Sequence, residues 1–251
     1  MRFTLVRGLT RDKFHWARFP SLLGNAFPKA AIEMLDLPGN GEHCGITSPI
    51  RPRDYVEFLR QHSEFVRKKQ KTTIVAVSLG AMIAYEWTKH YPNEIEALVF
   101  LNTSMRPTPT YRRMRPEAIL RLGEMIAEKD FVARERKVLE LTTTLLSDKL
   151  ESYAVAWGAH AQKYPTKKLS LLNQLLAAAQ IRRGDTPPPV PTLILRSLED
   201  HMVNPVCSED IARAWKVPLE THWAAGHDLT LDAPEWVVKK IEKFKSSPPN
   251  N

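Results

Sequence analysis

Short apolar runs rich in β-branched residues recur along the chain, and longer stretches with helical spacing separate them. The clearest run is Thr72–Val77 (TTIVAV). An unbroken apolar run of this kind is typical of a strand buried on both faces of a parallel sheet. Strands that alternate with helices indicate a doubly wound, mostly parallel α/β sheet with helices on both faces. The predicted strands are residues 3–6, 31–35, 72–77, 97–102, 192–195 and 219–222.

The stretches between these strands repeat apolar residues every three or four positions, which predicts helices with one face on the sheet. In the first stretch, the spacing of Trp16, Phe19, Leu22 and Leu23 suits one helix face. Further helices are predicted at residues 54–69, 80–90, 208–215 and 235–244.

The alternation breaks once, between the fourth and fifth predicted strands. This segment shows helical patterns and no strand pattern, and prolines introduce and close it. We interpret residues 105–190 as an α-helical cap inserted into an α/β core formed by residues 1–104 and 191–251. The helices predicted in the cap are residues 116–127, 130–146, 149–162 and 166–182.

Composition is that of an ordinary globular chain, with 43% hydrophobic and 25% charged residues. No apolar run is long enough to span a bilayer or to form a signal peptide, so we expect a cytoplasmic protein without stable membrane insertion. The two cysteines cannot form a disulfide framework, and no metal-ligand spacing accompanies them. We expect no metal.

The net charge is +8, and most of it lies on the cap, which carries 15 Lys/Arg and 9 Asp/Glu. No nucleic-acid-binding motif accompanies the charge, so no nucleic-acid partner is expected. Four arginines cluster at the start of the cap. They form either solvated helix faces or a docking face for an acidic partner. The four are Arg112, Arg113, Arg115 and Arg121.

Three residues with catalytic potential each follow a predicted strand. Ser78 lies in the sequence Ala76-Val77-Ser78-Leu79-Gly80, where a sharp strand-to-helix turn would project its hydroxyl above the sheet edge. Asp200 follows the fifth strand, with Glu199 as the alternative acid, and His227 follows the last strand. Ligands of open α/β sheets bind at the carboxyl ends of the strands, where all three residues would meet.

These residues, in this order, resemble the α/β-hydrolase fold superfamily, and specifically its capped serine esterases and thioesterases. The resemblance implies a catalytic triad of Ser78, Asp200 and His227 and a six-stranded sheet in the order 2-1-3-4-5-6. One departure is that Ala76 stands where the pattern G-x-S-x-G has its first glycine.

The resemblance also implies an oxyanion hole made of the backbone N–H groups of Leu9 and Leu79. The loop that contains Leu9 usually begins with His-Gly in relatives; here Arg7 replaces the histidine and Gly8 is retained. In the loop of residues 36–41, Asn40 stands where histidine is common, and we expect a structural role for it.

The expected function is hydrolysis of a small-molecule ester or thioester, bound between core and cap, through an acyl-enzyme and without a cofactor. Carbon–carbon bond hydrolysis uses the same triad and stays open. Two alternatives also stay open: an esterase for acyl groups on an acidic carrier protein, docked through the basic cap, and a non-catalytic binding module. The predicted substrate-binding residues are Tyr111, Tyr153 and Trp157, and the further aromatic candidates are Phe131 and Tyr164.

Overall fold

The computed structural model describes residues 1–246. Its six strands form one parallel sheet in the order β2-β1-β3-β4-β5-β6, which confirms the predicted fold class and strand order. The central strand β3 is buried along its whole length, as its unbroken apolar run predicts. The strands are β1 Arg2–Val6, β2 Ala31–Leu35, β3 Thr72–Val77, β4 Ile95–Leu101, β5 Thr192–Ser197 and β6 Leu219–His222.

Helices cover both faces of the sheet, and each face has its own core. Alternate residues of β3 point to opposite sides, so Ile74 packs with α2, α4 and α10, while Val75 packs with α1 and α12. The helices of the α/β core are α1 Phe19–Ala26, α2 Pro52–His62, α3 Glu64–Arg67, α4 Leu79–His90, α10 Val206–Trp215, α11 Leu229–Asp232 and α12 Pro234–Ser246.

Two stretches predicted as single helices are each divided in the structure. The helix predicted at residues 54–69 breaks at Ser63, whose extended backbone ends α2 and whose hydroxyl accepts a hydrogen bond from Val66 N to begin α3. The first stretch breaks at Ala17, which has a φ of 48°. A 3₁₀ turn precedes this break, and α1 follows it with Pro20 in its first turn, where the missing N–H costs no helical hydrogen bond.

Only helices and loops are found in the described structure between β4 and β5. The two ends of this segment lie side by side, because Arg106 N donates to Ile181 O across 3.0 Å and Arg183 N donates to Arg106 O across 2.9 Å. α7 ends at Thr142, earlier than predicted, and the residues after it turn back toward the core. The helices of the segment are α5 Thr110–Arg113, α6 Pro116–Ala127, α7 Phe131–Thr142, α8 Leu150–Lys163 and α9 Lys168–Gln180.

None of the helices formed by residues 1–246 is long and apolar enough to cross a membrane.

Candidate active site

Ser78 occupies the turn between β3 and α4 with φ 54° and ψ −117°. Non-glycine residues rarely adopt this backbone conformation, and it persists only where neighbouring contacts hold it. Two hydrogen bonds do so: Ser78 N donates to Leu101 O, and the Thr103 hydroxyl donates to Ser78 O, each across 2.9 Å. The turn therefore holds Ser78 at the carboxyl end of the sheet, as the strand–turn–helix pattern predicts.

Gly80 allows α4 to start directly against the end of β1. A Cβ at this position would lie 2.5 Å from both Val6 O and Arg7 O, so no larger residue fits without a shift of backbone. Ala76, two residues before the serine, is fully buried inside β3 beside Val6. The sheet accommodates its methyl group, and the turn forms without the first glycine of the usual pattern.

The loop after β1 lies against the serine turn. A Cβ on Gly8 would lie 3.1 Å from Ser78 Cβ and 3.6 Å from Leu79 N, so glycine permits this approach. Leu79 is the first residue of α4, where backbone N–H groups have no partner inside the helix. The structure thus brings the chain beside Leu9 close to Leu79, and their pairing as an oxyanion hole stays a prediction.

Asp200 and His227 form a buried hydrogen-bonded pair. His227 Nδ1 lies 2.7 Å from Asp200 Oδ2, and the other carboxylate oxygen accepts hydrogen bonds from Met202 N and Val203 N, each across 2.8 Å. These backbone hydrogen bonds therefore hold the carboxylate in position for its contact with the imidazole. The alternative acid, Glu199, is exposed to solvent.

Asn102, directly after β4, connects the acid and histidine loops. Its φ is 45°. Its side-chain N–H groups donate to Ser197 Oγ across 2.9 Å and to His227 O across 2.8 Å, and its Oδ1 accepts from Ser197 N across 2.8 Å. Sequence reasoning treated this residue only as a strand end. An asparagine at the end of a strand can indicate a residue with positive φ, because asparagine tolerates left-handed backbone better than most residues.

The serine and histidine are thus both anchored to residues 101–103. Ser78 hydrogen-bonds to the chain on either side of Asn102, and His227 to the Asn102 side chain. Across residues 1–246, no hydrogen bond joins the Ser78 hydroxyl to His227. Such catalytic hydrogen bonds are often long before substrate binds and tighten in the substrate complex.

Arg7 holds the residue next to the histidine. Its Nη1 donates to Asp228 Oδ1 across 3.0 Å and to the Thr230 hydroxyl across 2.9 Å, and its Nη2 donates to Asp228 Oδ2 across 2.5 Å. Both partners of this ion pair are buried. Burial by itself raises the pKa of Asp228, but the adjacent Arg7 guanidinium outweighs it and the pKa is lowered. Sequence reasoning noted Arg7 only as a replacement for histidine and missed this partner.

A cavity of about 110 Å³ lies between the loop after β1 and the helical segment between β4 and β5. The loop lines it with polar residues, and the helical segment contributes both apolar and charged residues. Asn40 stands behind the loop, where Nδ2 donates to Arg11 O across 3.0 Å and Oδ1 accepts from Gln174 Nε2 of α9 across 2.8 Å. These bonds join the loop after β1 to α9 through Asn40.

The aromatic residues predicted to bind substrate lie in different environments. Tyr164 lines the cavity. Trp157 is buried behind it, under the guanidinium of Arg11, and its ring centroid lies 5.5 Å from that of Tyr153. Tyr111 is 60% exposed on α5. Their roles in substrate binding stay predictions.

Residues 1–246 contain no group of three or more His, Cys, Asp or Glu side chains placed to hold a metal ion. The Cys207 thiol is buried, which raises its pKa to about 12, so it is not a reactive thiolate.

The model of the α/β hydrolase family matches residues 5–240. A Bacillus subtilis (strain 168) protein, described as a candidate 2-succinyl-6-hydroxy-2,4-cyclohexadiene-1-carboxylate synthase, is 23% identical over 96% of this chain and 89% of its own.

Two solved structures show the same fold. The 2-hydroxy-6-oxo-6-phenylhexa-2,4-dienoate hydrolase of Rhodococcus sp. strain RHA1 superposes with a TM-score of 0.79 at 14% identity, over 98% of this chain and 90% of that chain. A thermophilic esterase from Thermogutta terrifontis gives 0.75 at 17% identity, over 98% and 89%. With the family model spanning both the sheet and the site, this chain belongs to the α/β hydrolase family.

Proposed function

We propose that this protein is a serine hydrolase that cleaves an ester or thioester through an acyl-enzyme. One observation carries the proposal: Ser78, in its strained turn, and the buried Asp200–His227 pair are anchored to the same strand end. A nucleophile, a base and an acid that orients the base form the constellation that acyl transfer needs.

In this mechanism Ser78 Oγ attacks the carbonyl carbon while His227 Nε2 takes the hydroxyl proton. Asp200 holds the Nδ1 side of the ring and stabilises the imidazolium that forms. The N–H groups of Leu9 and Leu79 stabilise the negative oxygen of the tetrahedral intermediate. His227 then protonates the leaving group and activates the water that releases the acid.

A reactive-serine experiment tests the proposal. The protein and its Ser78→Ala variant are treated with a fluorophosphonate probe and mapped by mass spectrometry, and turnover of p-nitrophenyl esters is measured alongside. We expect the label on Ser78 and a loss of about 10⁴–10⁶-fold in kcat in the variant. Ser147→Ala, which changes a cap serine, is the control and should keep both label and turnover. An unlabelled, folded protein without esterase activity would favour the binding-module alternative.

A second candidate is an esterase that acts on acyl groups held by an acidic carrier protein. The supporting observation is a basic and apolar surface at the start of the cap, where Arg112 and Arg121 are exposed beside Leu120, which is 71% exposed. Arg113 is not part of this surface, because it is buried and its Nη2 donates to Ala178 O across 2.6 Å. Turnover of carrier-bound substrate that falls with added salt, and falls further in Arg121→Gln, would support docking.

A further inference from the structure

The cavity between the loop after β1 and the cap has two chemically different walls. The loop wall is polar, α6 lines the opposite wall with apolar residues only, and α7, α8 and α9 contribute both polar and apolar residues. A volume of about 110 Å³ holds several water molecules or a short chain with a polar end. The charged residues of the lining are Arg11, Asp12, Arg134, Glu135 and Lys168.

Arg11 is the most unusual side chain in this lining. The side chain is 10% exposed, and Nη1 donates to Glu135 Oε2 across 2.5 Å. Its other terminal nitrogen, Nη2, is buried without a hydrogen-bond partner. Four other arginines of the described chain have a buried nitrogen without a partner, but in each of them it is Nε; they are Arg7, Arg113, Arg115 and Arg183. A buried guanidinium donor left unpaired is costly, so it marks a place for an acceptor.

The two carboxylates that line the cavity already have partners. Glu135 is bonded to Arg11. Asp12 accepts from Phe14 N across 2.9 Å, and its oxygens lie 2.9 Å from His15 Nδ1 and 2.8 Å from His160 Nε2. Against these two carboxylates the lining carries three cations, Arg11, Arg134 and Lys168, so its charge favours an anion.

Two neighbouring cations support the same interpretation. Arg134 stacks on the Phe131 ring, and Lys168 is exposed at the cavity. Neither Arg134 nor Lys168 forms an ion pair within residues 1–246.

The loop after β1 connects the cavity with the Ser78 turn, although neither Ser78 nor His227 is among the lining residues. Gly8 contacts the Ser78 turn, and Arg11 is three residues further along the same loop. Three residues of extended chain span at most about 10 Å, so an anion bound at Arg11 and a carbonyl at Ser78 can belong to one small molecule.

We propose that the Arg11 cavity binds a free carboxylate of the substrate, so that the preferred substrates are esters or thioesters that also carry a carboxylate. This inference rests on the proposed function, because it names the substrate class for the same site. The apolar cap wall contacts the methylene groups between the two ends, and the carboxylate accepts from Arg11 Nη2 with Arg134 and Lys168 nearby.

Matched esters test the specificity. 4-Nitrophenyl hydrogen glutarate and 4-nitrophenyl pentanoate have acyl chains of equal length, and 3-carboxy-4-nitrophenyl pentanoate moves the carboxylate to the leaving group. We expect a kcat/KM for one of the carboxylate-bearing esters at least 10-fold above that for 4-nitrophenyl pentanoate. Equal kcat/KM values for all three esters would overturn the proposal.

Three substitutions locate the effect. Arg11→Lys keeps the charge beside Glu135 and removes the free terminal nitrogen, whereas Arg134→Gln and Lys168→Gln change side chains that are at least partly exposed. Each should raise KM for the preferred carboxylate ester about 5- to 50-fold and lower the ratio of its kcat/KM to that of 4-nitrophenyl pentanoate. The matched control is Arg213→Gln, which removes a 70% exposed arginine from α10. An equal effect of this control would show that the preference is not local to the cavity.

A binding measurement separates this inference from the proposed function. Calorimetry on Ser78→Ala, which does not require turnover, compares glutarate with neutral glutaramide, which has the same chain and no carboxylate. Glutarate binding that weakens in Ser78→Ala/Arg11→Lys supports the cavity, even where no ester is hydrolysed. Equal binding of glutarate and glutaramide, or glutarate binding unaffected by the three substitutions, overturns the cavity assignment and leaves the hydrolase proposal intact.

Discussion

Two buried arginines of one loop, Arg7 and Arg11, differ in what they leave unpaired. Both bond to a carboxylate far along the chain, and both lie over a tryptophan ring, with 5.1 Å to the centroid for Arg7 and 5.0 Å for Arg11. Arg7 uses both terminal nitrogens within the core. Arg11 uses one, on a cap residue, and leaves Nη2 unpartnered. The same residue type therefore fixes the loop that contains His227 at one end of the loop and lines a cavity at the other.

Nearby carboxyl groups show the same contrast. The Arg7 guanidinium keeps the pKa of Asp228 lowered although burial opposes it. On the Arg11 side, burial and the neighbouring charge of Asp12 raise the pKa of Asp36 to about 7. At the Arg7 end of the loop, the buried carboxylate of Asp228 has a cation beside it. At the Arg11 end, the buried carboxyl of Asp36 ionises only with difficulty.

The largest expected effect is that of Arg7→Met. This variant leaves Asp228 buried without its cation, and breaking such a pair costs about 3–5 kcal/mol of unfolding free energy. Because Asp228 adjoins His227, turnover should fall alike for neutral and carboxylate-bearing esters. Urea unfolding and ester kinetics measure the two effects. Arg18→Met, which removes a pair whose members are both more than half exposed, is the control and should cost less than about 1 kcal/mol. Equal losses of unfolding free energy in the two variants would show that Arg7 contributes no more to the fold than an exposed arginine does.

Asp36 should make the Arg11 side sensitive to rising pH. The pKa of Asp36 is about 7 in the folded chain against an ordinary aspartate pKa of 3.8, so between these pH values the folded state binds one more proton than the unfolded state. The unfolding free energy therefore decreases as pH rises through this window, by at most about 4 kcal/mol. The lowered pKa of Asp228 acts in the opposite direction, with stability lost as pH falls below about 4.

Urea unfolding at pH 5 and pH 8 measures the Asp36 effect. Asp36→Asn cannot ionise, so the difference between the two pH values should shrink in this variant. An undiminished difference would assign the pH dependence to another group.

The features that the sequence predicted depend on residues close together in the chain. The features that it did not predict depend mainly on residues far apart in the chain. The strands were identifiable, and Ser78, Asp200 and His227 could be selected as candidates, because each apolar run and the polar residues that follow it are close together in the chain. The division of the helix at Ser63 was not identifiable, because the apolar residues keep their helical spacing on both sides of this capping hydroxyl. The partners of Arg7 and Arg11 lie 221 and 124 residues away, and only the packing of loop against core and cap brings them together.

A smaller effect is expected where the serine turn contacts the loop. Gly80→Ala places a methyl group 2.5 Å from two carbonyl oxygens and should cost about 1–3 kcal/mol, with reduced fluorophosphonate labelling of Ser78. The control is Gly123→Ala on α6, where a Cβ meets nothing within 4 Å, and alanine should add about 0.5–1 kcal/mol of stability. If Gly80→Ala stabilised the protein as much as Gly123→Ala, the contact between the serine turn and the loop would have to be loose.

The smallest change in stability is expected when both members of the Arg11–Glu135 pair are replaced together. Buried ion pairs replaced by apolar residues of similar volume are often neutral, so Arg11→Met/Glu135→Leu should unfold within about 1 kcal/mol of the parent protein. Glu135→Leu alone should cost more, because Arg11 then lacks its only carboxylate. The double variant should still cleave 4-nitrophenyl pentanoate and should lose the preference for carboxylate-bearing esters. If it instead unfolds as readily as Arg7→Met, Arg11 supports the fold as Arg7 does, and the contrast between the two arginines does not hold.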